Sequence, residues 1–336
     1  MKKEAMFWKS VSNDDVQCLL CPHMCGIKNK EVGICGIRKN ENGVLYSLTY
    51  ALCSAISDDP IEKKPLNHFY PGSTVLSLGS VGCNFSCLHC QNYSISTAKP
   101  DQLSLTELLP QNAVDLAKSH NCKGIAWTYN EPAIWFEYSF DVAQLAKKYD
   151  LYTVYVSNGY INKEPLEKIA PFLDAINVDV KSFSDDFYNK VCKARLQPVL
   201  DTCENAKRLG IHIELTYLVI PDKNDSLQEI SKFCVWVIES LGKDVPIHFS
   251  RFQPLHQMKD SLQTPITTLK KCYEIAKKKG LNFVYIGNII DESFESTMCP
   301  FCHSVLIKRH GFFTEIVGLR DKKCIQCNAK IPIICV

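Results

Sequence analysis

The segment "VGCNFSCLHCQN" places Cys83, Cys87 and Cys90 within eight residues. A structural zinc knuckle uses C-x2-C pairs and four ligands in all, which a C-x3-C-x2-C triplet fits poorly. Three thiolates suit a different group. A [4Fe–4S] cube ordinarily takes four cysteines, one per iron. With three, one iron keeps an open position for a substrate or cofactor, as catalytic zinc does with three protein ligands. The i, i+4, i+7 spacing in a loop opened by Gly82 lets the chain wrap a compact cluster, because glycine allows a tight approach. The alternative is a zinc ion completed by His89 or by a distant cysteine.

Two other cysteine groups flank the triplet. Cys299, Cys302, Cys324 and Cys327 read C-x2-C, twenty-one intervening residues, C-x2-C. That is a zinc-ribbon pattern, with "SVLIKRHGFFTEIVG" as a hairpin around "HG". Asn328 after the second knuckle tolerates the positive φ such turns need; His303 after the first does so less comfortably. Zinc there would add about 10–16 kcal/mol of apparent binding energy to a segment too small for its own core. A rubredoxin-like iron site is the alternative. Cys18, Cys21, Cys25 and Cys35 have irregular spacing. Zinc and a second iron–sulfur cluster are both open, with His23 as a substitute ligand; a structural metal is the preferred reading. The other seven of the 18 cysteines are scattered singly and read as small buried hydrophobes.

The elements that must position the triplet follow from the apolar pattern. Short β-rich runs at 74–81, 124–128, 152–157, 175–180, 211–220, 246–252 and 282–287 alternate with segments of helical spacing. Several helical segments close on Lys or Arg and then Gly. Such alternation implies an α/β fold with a parallel sheet and right-handed crossovers. The expected architecture is a partial (β/α)6–7 TIM-like barrel over 71–290. A Cys-rich extension (1–70) precedes it and a zinc-ribbon-like segment (291–336) follows. A doubly wound open sheet is the runner-up. Polar, Gly and Pro residues collect after the strands: the triplet, "TYNEP", "SNGY", "DVKS", "PDKND", "RFQPLH" and "GN". In parallel β/α folds that rim is where active sites are built. The polar, Pro-punctuated stretch "SDDPIEKKPLNHFYPGS" reads as a lead across the barrel into its first strand.

Bulk composition excludes some functions. With 38 basic and 36 acidic side chains in 336 residues, no basic surplus points to nucleic acid or an anionic membrane. No signal peptide and no membrane-length apolar run is evident, so a cytoplasmic protein is expected. In such a chain cysteines imply metal or redox chemistry rather than disulfides.

The triplet after a first barrel strand resembles the signature of radical S-adenosylmethionine (SAM) enzymes. "CLLCPHMCGI…GICGIRKN", "SLTYALCSAISDDPIEKKPLNHFYPGS", "GCNFSCLHCQNYSIS", "WTYNEPAIWFEY" and "VSNGYI" together resemble the radical SAM member of the AmmeMemoRadiSam system, a group related to pyruvate formate-lyase activating enzyme. The resemblance implies a low-potential [4Fe–4S] cluster on Cys83, Cys87 and Cys90. SAM would be chelated at the open iron and cleaved to methionine and a hydrogen-abstracting 5′-deoxyadenosyl radical. It implies SAM-contacting roles for His89, where relatives carry an aromatic near the adenine, and for Asn130 and Glu131. These two fall in "YNEP", which matches a Gly-Gly-Glu-Pro motif. Ser157, Asn158 and Gly159 match a Thr-Asn-Gly motif. Val156 stands where related activating enzymes have an acid, so the cation that acid helps to hold is not expected. Asp179 and Lys181 flank Val180, share one face, and are expected on the SAM ribose side. His256 is expected to face adenosine or substrate. Implied partners are a low-potential electron donor such as flavodoxin or ferredoxin, and a protein substrate or companions from the same system. The rival within enzymes is a glycyl-radical-enzyme activase. The rival outside them is a zinc-binding interaction scaffold, and a non-radical methyltransferase would have no use for the triplet.

Overall fold

All seven apolar runs form strands, and an eighth strand precedes them. They are β1 (Ala55–Pro60), β2 (Thr74–Gly79), β3 (Gly124–Trp127), β4 (Tyr152–Ser157), β5 (Ala175–Asp179), β6 (His212–Val219), β7 (Ile247–Arg251) and β8 (Val284–Gly287). The computed structural model describes residues 1–335. The eight strands make one sheet, in which spatial order follows chain order from β1 to β8. Strands β2 to β8 are mutually parallel. The added β1 runs antiparallel along β2, from Ala55↔Gly79 to Pro60↔Thr74. Its polar "SDDP" hid it. It is an edge strand whose acids have partners: Asp58 with His120, and Asp59 with Lys63 and Lys64.

The helices that bear on the site are α1 (Pro110–Ser119), α2 (Phe136–Lys147), α3 (Lys163–Ile169), α4 (Gln197–Arg208), α5 (Leu227–Trp236) and α6 (Ile266–Lys279). Neighbours pack on one another, α1 on α2, α3 on α4 and α5 on α6. The last shows how sequence sets each one. Leu269, Cys272 and Ala276 are buried at helical spacing, three lysines fill the final turn, and Gly280 ends it at φ +106°. A doubly wound sheet needs a point where strand order reverses, and none exists here. No pairing joins β1 to β8 among the described residues, so the sheet is open.

The stretch from Ile61 to Tyr70 does cross to the first parallel strand, and it packs as it goes. Ile61, Leu66 and Phe69 bury against Val75, Tyr152 and Ala175, at or near the starts of their strands. The C-terminal segment covers the same end. Arg309, 1% exposed, donates to the Asn67 carbonyl at 2.7 Å and to Thr297 Oγ1 at 2.7 Å. The Ile334 amide donates to the His68 carbonyl at 2.8 Å. Both segments thus sit at the N-terminal ends of the strands and leave the C-terminal ends to the polar loops. No helix among the described residues is long and apolar enough to cross a membrane.

Candidate active site

The triplet lies on the loop that leaves β2. Gly82 sits at φ +81°, and a β-carbon there would come within 2.5 Å of the Cys35 carbonyl. Only glycine fits that approach. Cys83, Cys87 and Cys90 are all partly buried. The Cys83 sulfur accepts from the Phe85 amide at 3.4 Å and from Asn158 Nδ2 at 3.8 Å; that of Cys90 lies 3.2 Å from Ser96 Oγ.

Three buried thiols are poor thiolates unless a cation joins them. Burial, and then the charge of Glu131, push Cys83 well above the ordinary thiol range. The neighbouring Cys192 thiol and burial do the same to Cys87, and burial raises Cys90. A bound cationic group reverses that balance. Its size is limited by the spacing. Sulfurs around one zinc stand about 3.8 Å apart, given bonds of about 2.3 Å. Among the described residues, only Cys299, Cys302, Cys324 and Cys327 place three or more candidate ligand atoms all within 4.8 Å of one another. The triplet is splayed wider, as thiolates on separate irons must be. These donors therefore fit an iron–sulfur cube better than a single ion.

Loops after β3, β4 and β5 close around the triplet. Glu131, 2% exposed, caps a short turn through Ala133 N at 2.9 Å. It also accepts from Ser157 Oγ at 2.7 Å and from the Asn158 amide at 2.8 Å. The helix-entry role does not exhaust this carboxylate, whose Oε2 takes a single donor. Burial, against those three donors and Lys181, raises its pKa to about 7. Asn130 is a loop clamp instead of an open side chain: it accepts from the Ser80 amide at 3.0 Å and donates to the Gly82 carbonyl at 3.0 Å. Ser157 also accepts from the Gly159 amide at 3.0 Å. Gly159, at φ +71°, sits where a β-carbon would meet Val178 at 2.8 Å.

Asp179 and Lys181 pair at 2.6 Å. Burial opposes the Lys181 ammonium, but Asp179 and Cys87 beside it outweigh that and raise its pKa. The charge of Lys181 reaches Cys87, Cys90, His89 and Glu131, so it stands amid the converging loops. His89 is 5% exposed, its Nδ1 is buried without a partner, and burial followed by Lys181 lowers its pKa to about 3. It is a neutral imidazole whose buried Nδ1 has no hydrogen-bond partner. His256 lies at the rim, stacked on Tyr93 at 4.6 Å, while its neighbour Gln257 donates its amide to the Leu88 carbonyl at 3.1 Å.

Residues not singled out from sequence complete the site. Asn84 accepts from Asn158 Nδ2 at 2.8 Å and donates to the Tyr160 carbonyl at 2.9 Å. Cys192 lies fully buried behind Cys87, and its carbonyl accepts from the Ser86 amide at 3.0 Å. Asn84 adjoins the triplet and could have been found that way; Cys192 is remote in sequence and gave no signal.

Residues 78–234 match the radical SAM superfamily, a span that contains the triplet and the loops after β3 to β5. The chain is 44% identical over 334 residues, 99% of each chain, to an uncharacterized protein of Methanocaldococcus jannaschii. This chain belongs to the radical SAM superfamily. Another protein of that organism, provisionally named a glycyl-radical enzyme activating enzyme, is 24% identical over 48% of this chain and 63% of its own. Among solved radical SAM-like folds, Streptococcus suis SuiB bound to its precursor peptide SuiA superposes with a TM-score of 0.50 at 13% identity, over 72% of this chain and 56% of that one. At that identity the likeness is one of fold. Membership in the radical SAM superfamily implies a [4Fe–4S] cluster and SAM.

The C-terminal cysteines form the tightest group. Cys299 and Cys327 sulfurs lie 3.6 Å apart, as do those of Cys302 and Cys324. His303 and Asn328 both take positive φ, near +60°, so the histidine accepts the knuckle turn as readily as the asparagine. The group packs on Phe283 and Tyr285, away from the triplet.

Proposed function

We propose that this protein is a radical SAM enzyme of the kind found in the AmmeMemoRadiSam system, and that its substrate is a peptide or protein side chain or backbone. Cys83, Cys87 and Cys90 would hold the cluster. When bound, the cluster supplies the electron that splits SAM into methionine and a 5′-deoxyadenosyl radical able to take hydrogen from a substrate. The observation that carries the reading is the wide, three-thiol fan at the C-terminal end of β2, beside a buried carboxylate, a lysine and a histidine with an unpartnered nitrogen.

The chain's own groups divide the remaining work. Asn158 and the Phe85 amide hydrogen-bond to the Cys83 sulfur, which stabilises charge there and raises the cluster potential. Lys181, held by Asp179, offers positive charge toward the carboxylate of SAM. Glu131 offers its remaining acceptor position to the ammonium group. His89 provides a neutral aromatic edge and Nδ1 for the adenine, and the Tyr93–His256 stack borders the entrance. Asn130, Ser157 and Gly159 hold the loops that carry these groups. The four C-terminal cysteines would hold structural zinc.

The test is anaerobic reconstitution with iron and sulfide, then dithionite and SAM. The expected product is 5′-deoxyadenosine; its absence from a cluster-loaded sample overturns the reading. An all-zinc scaffold predicts no brown colour and no turnover. The relative named as an activating enzyme supports a second reading, in which the substrate is a glycyl-radical enzyme. An EPR-visible backbone radical in such a partner would select it.

Glu131 gives a pH prediction. With a pKa near 7 it is neutral in mild acid and cannot grip an ammonium group. SAM affinity should rise roughly five- to sixfold from pH 6 to 7.5, the ionised fraction of Glu131 growing about eightfold while the ligand's own amine (about 7.7–8.0) begins to lose its proton. Equilibrium binding should show this slope in the native protein and none in Glu131→Gln.

A further inference from the structure

Cys18, Cys21, Cys25 and Cys35 converge on one cavity beside the active-site loop. Two short antiparallel strands bring them there: Val16–Cys18 delivers the first, and the turn before Gly26–Ile27 carries Cys21 and Cys25. Cys35 arrives from the loop before Arg38. The two four-cysteine groups of this chain are packed differently. The C-terminal sulfurs all lie within 4.8 Å of one another; the N-terminal ones do not.

Four sulfurs around one zinc lie about 2.3 Å from its centre and so about 3.8 Å from one another. A cube spreads its terminal thiolates outward, one per iron. His23 is not needed as a ligand, because its Nε2 pairs with the Asn84 carbonyl at 2.7 Å.

The lining suits a buried anionic cluster. Backbone amides turn toward the sulfurs: His23 toward Cys21, Ile34 toward Cys25, Ile37 and Arg38 toward Cys35. The Arg38 side chain, 1% exposed, also lines the cavity, and its Nε is buried without a partner. Its other end is fixed by Glu137 at 3.0 Å. Charge alone would serve zinc equally well; the spacing of the sulfurs distinguishes the two.

We propose that Cys18, Cys21, Cys25 and Cys35 bind a second [4Fe–4S] cube, in place of the structural metal preferred from sequence. Four thiolates saturate it, so it offers no open iron. It lies across the backbone of the active-site loop: Asn84, next to Cys83, lines its cavity, and Gly82 abuts the Cys35 carbonyl.

The experiment isolates this site by removing the other cube. The full chain carrying Cys83→Ala, Cys87→Ala and Cys90→Ala is reconstituted anaerobically with iron and sulfide. It should hold about four iron and four sulfide per chain and give a reduced-cluster EPR signal, against about eight of each in the native protein. Adding Cys18→Ser and Cys21→Ser should remove the remainder. A triple variant without iron, or with two zinc per chain, overturns the proposal, as does iron that survives the added pair. A native protein with four iron that persist in the triple variant would uphold this site and refute the cluster at the triplet.

Discussion

Cys87→Ala should lose about four iron per chain and reduce 5′-deoxyadenosine formation by at least about a thousandfold, since enzymes outpace uncatalysed reactions by about 10⁶-fold or more. Two thiols, Cys83 and Cys90, cannot hold a cube that already has only three protein ligands. The thiol beside Cys87 that could substitute is Cys192, which is fully buried with its backbone hydrogen-bonded to the loop of the triplet. Replacing it tests the open corner directly. Cys192→Ala should retain the cube and most of the activity, because Cys192 positions the loop instead of coordinating iron. If Cys192→Ala loses iron as completely as Cys87→Ala does, the cube has four ligands and the radical reading fails. Iron analysis and single-turnover assays on both variants suffice.

The sequence carries the parallel sheet because period and spacing are local properties. All seven apolar runs kept their places, and the helix ends obeyed their lysines and glycines. The antiparallel β1 was hidden because an edge strand can bear "SDDP" once Asp59 pairs with Lys63 and Lys64 just downstream and Asp58 meets His120 from another segment. That information is tertiary. The site divides in the same way. The triplet was legible from cysteine spacing, and the Asp179–Lys181 pair from alternation along one strand. The triple duty of Glu131 was not, since it depends on Ala133, Ser157 and Asn158 meeting around one carboxylate. Asn130 was read as a ligand contact, and its side chain proves to clamp the cluster loop. Irregular spacing could not tell a single ion from a cube at the N-terminal cysteines, because the distinction lies in how far apart the folded chain holds the sulfurs.

Glu214→Ala should cost about 3–5 kcal/mol, the usual price of breaking a buried charged network by removing one partner. Glu214 lies fully buried near the start of β6 and has no part in the active site. Its Oε1 accepts from the His68 amide at 2.7 Å and His212 Nε2 at 3.1 Å; its Oε2 accepts from the Asn67 amide at 3.0 Å and His248 Nε2 at 2.7 Å. One carboxylate thus fastens the crossing segment to two strands, and alanine would leave two backbone amides buried without partners. Burial alone would raise its pKa, but the two histidines outweigh that and hold it well below the usual range. The sign follows: this carboxylate stabilises the fold above its unfolded pKa, near 4.5, and the contribution fades as pH falls through the lower folded value. Burial lowers the pKa of the neighbouring His68 to about 3, which also penalises acid. The unfolded chain binds that proton from about pH 6.5 downward and the folded chain does not, so acid favours unfolding across the whole interval. Urea midpoints of the native protein should therefore fall from pH 7 to 5, while Glu214→Ala starts lower at pH 7 with an unchanged slope against urea. A variant as stable as the native chain would mean that the apolar contacts of Ile61, Leu66 and Phe69 hold the segment without the carboxylate.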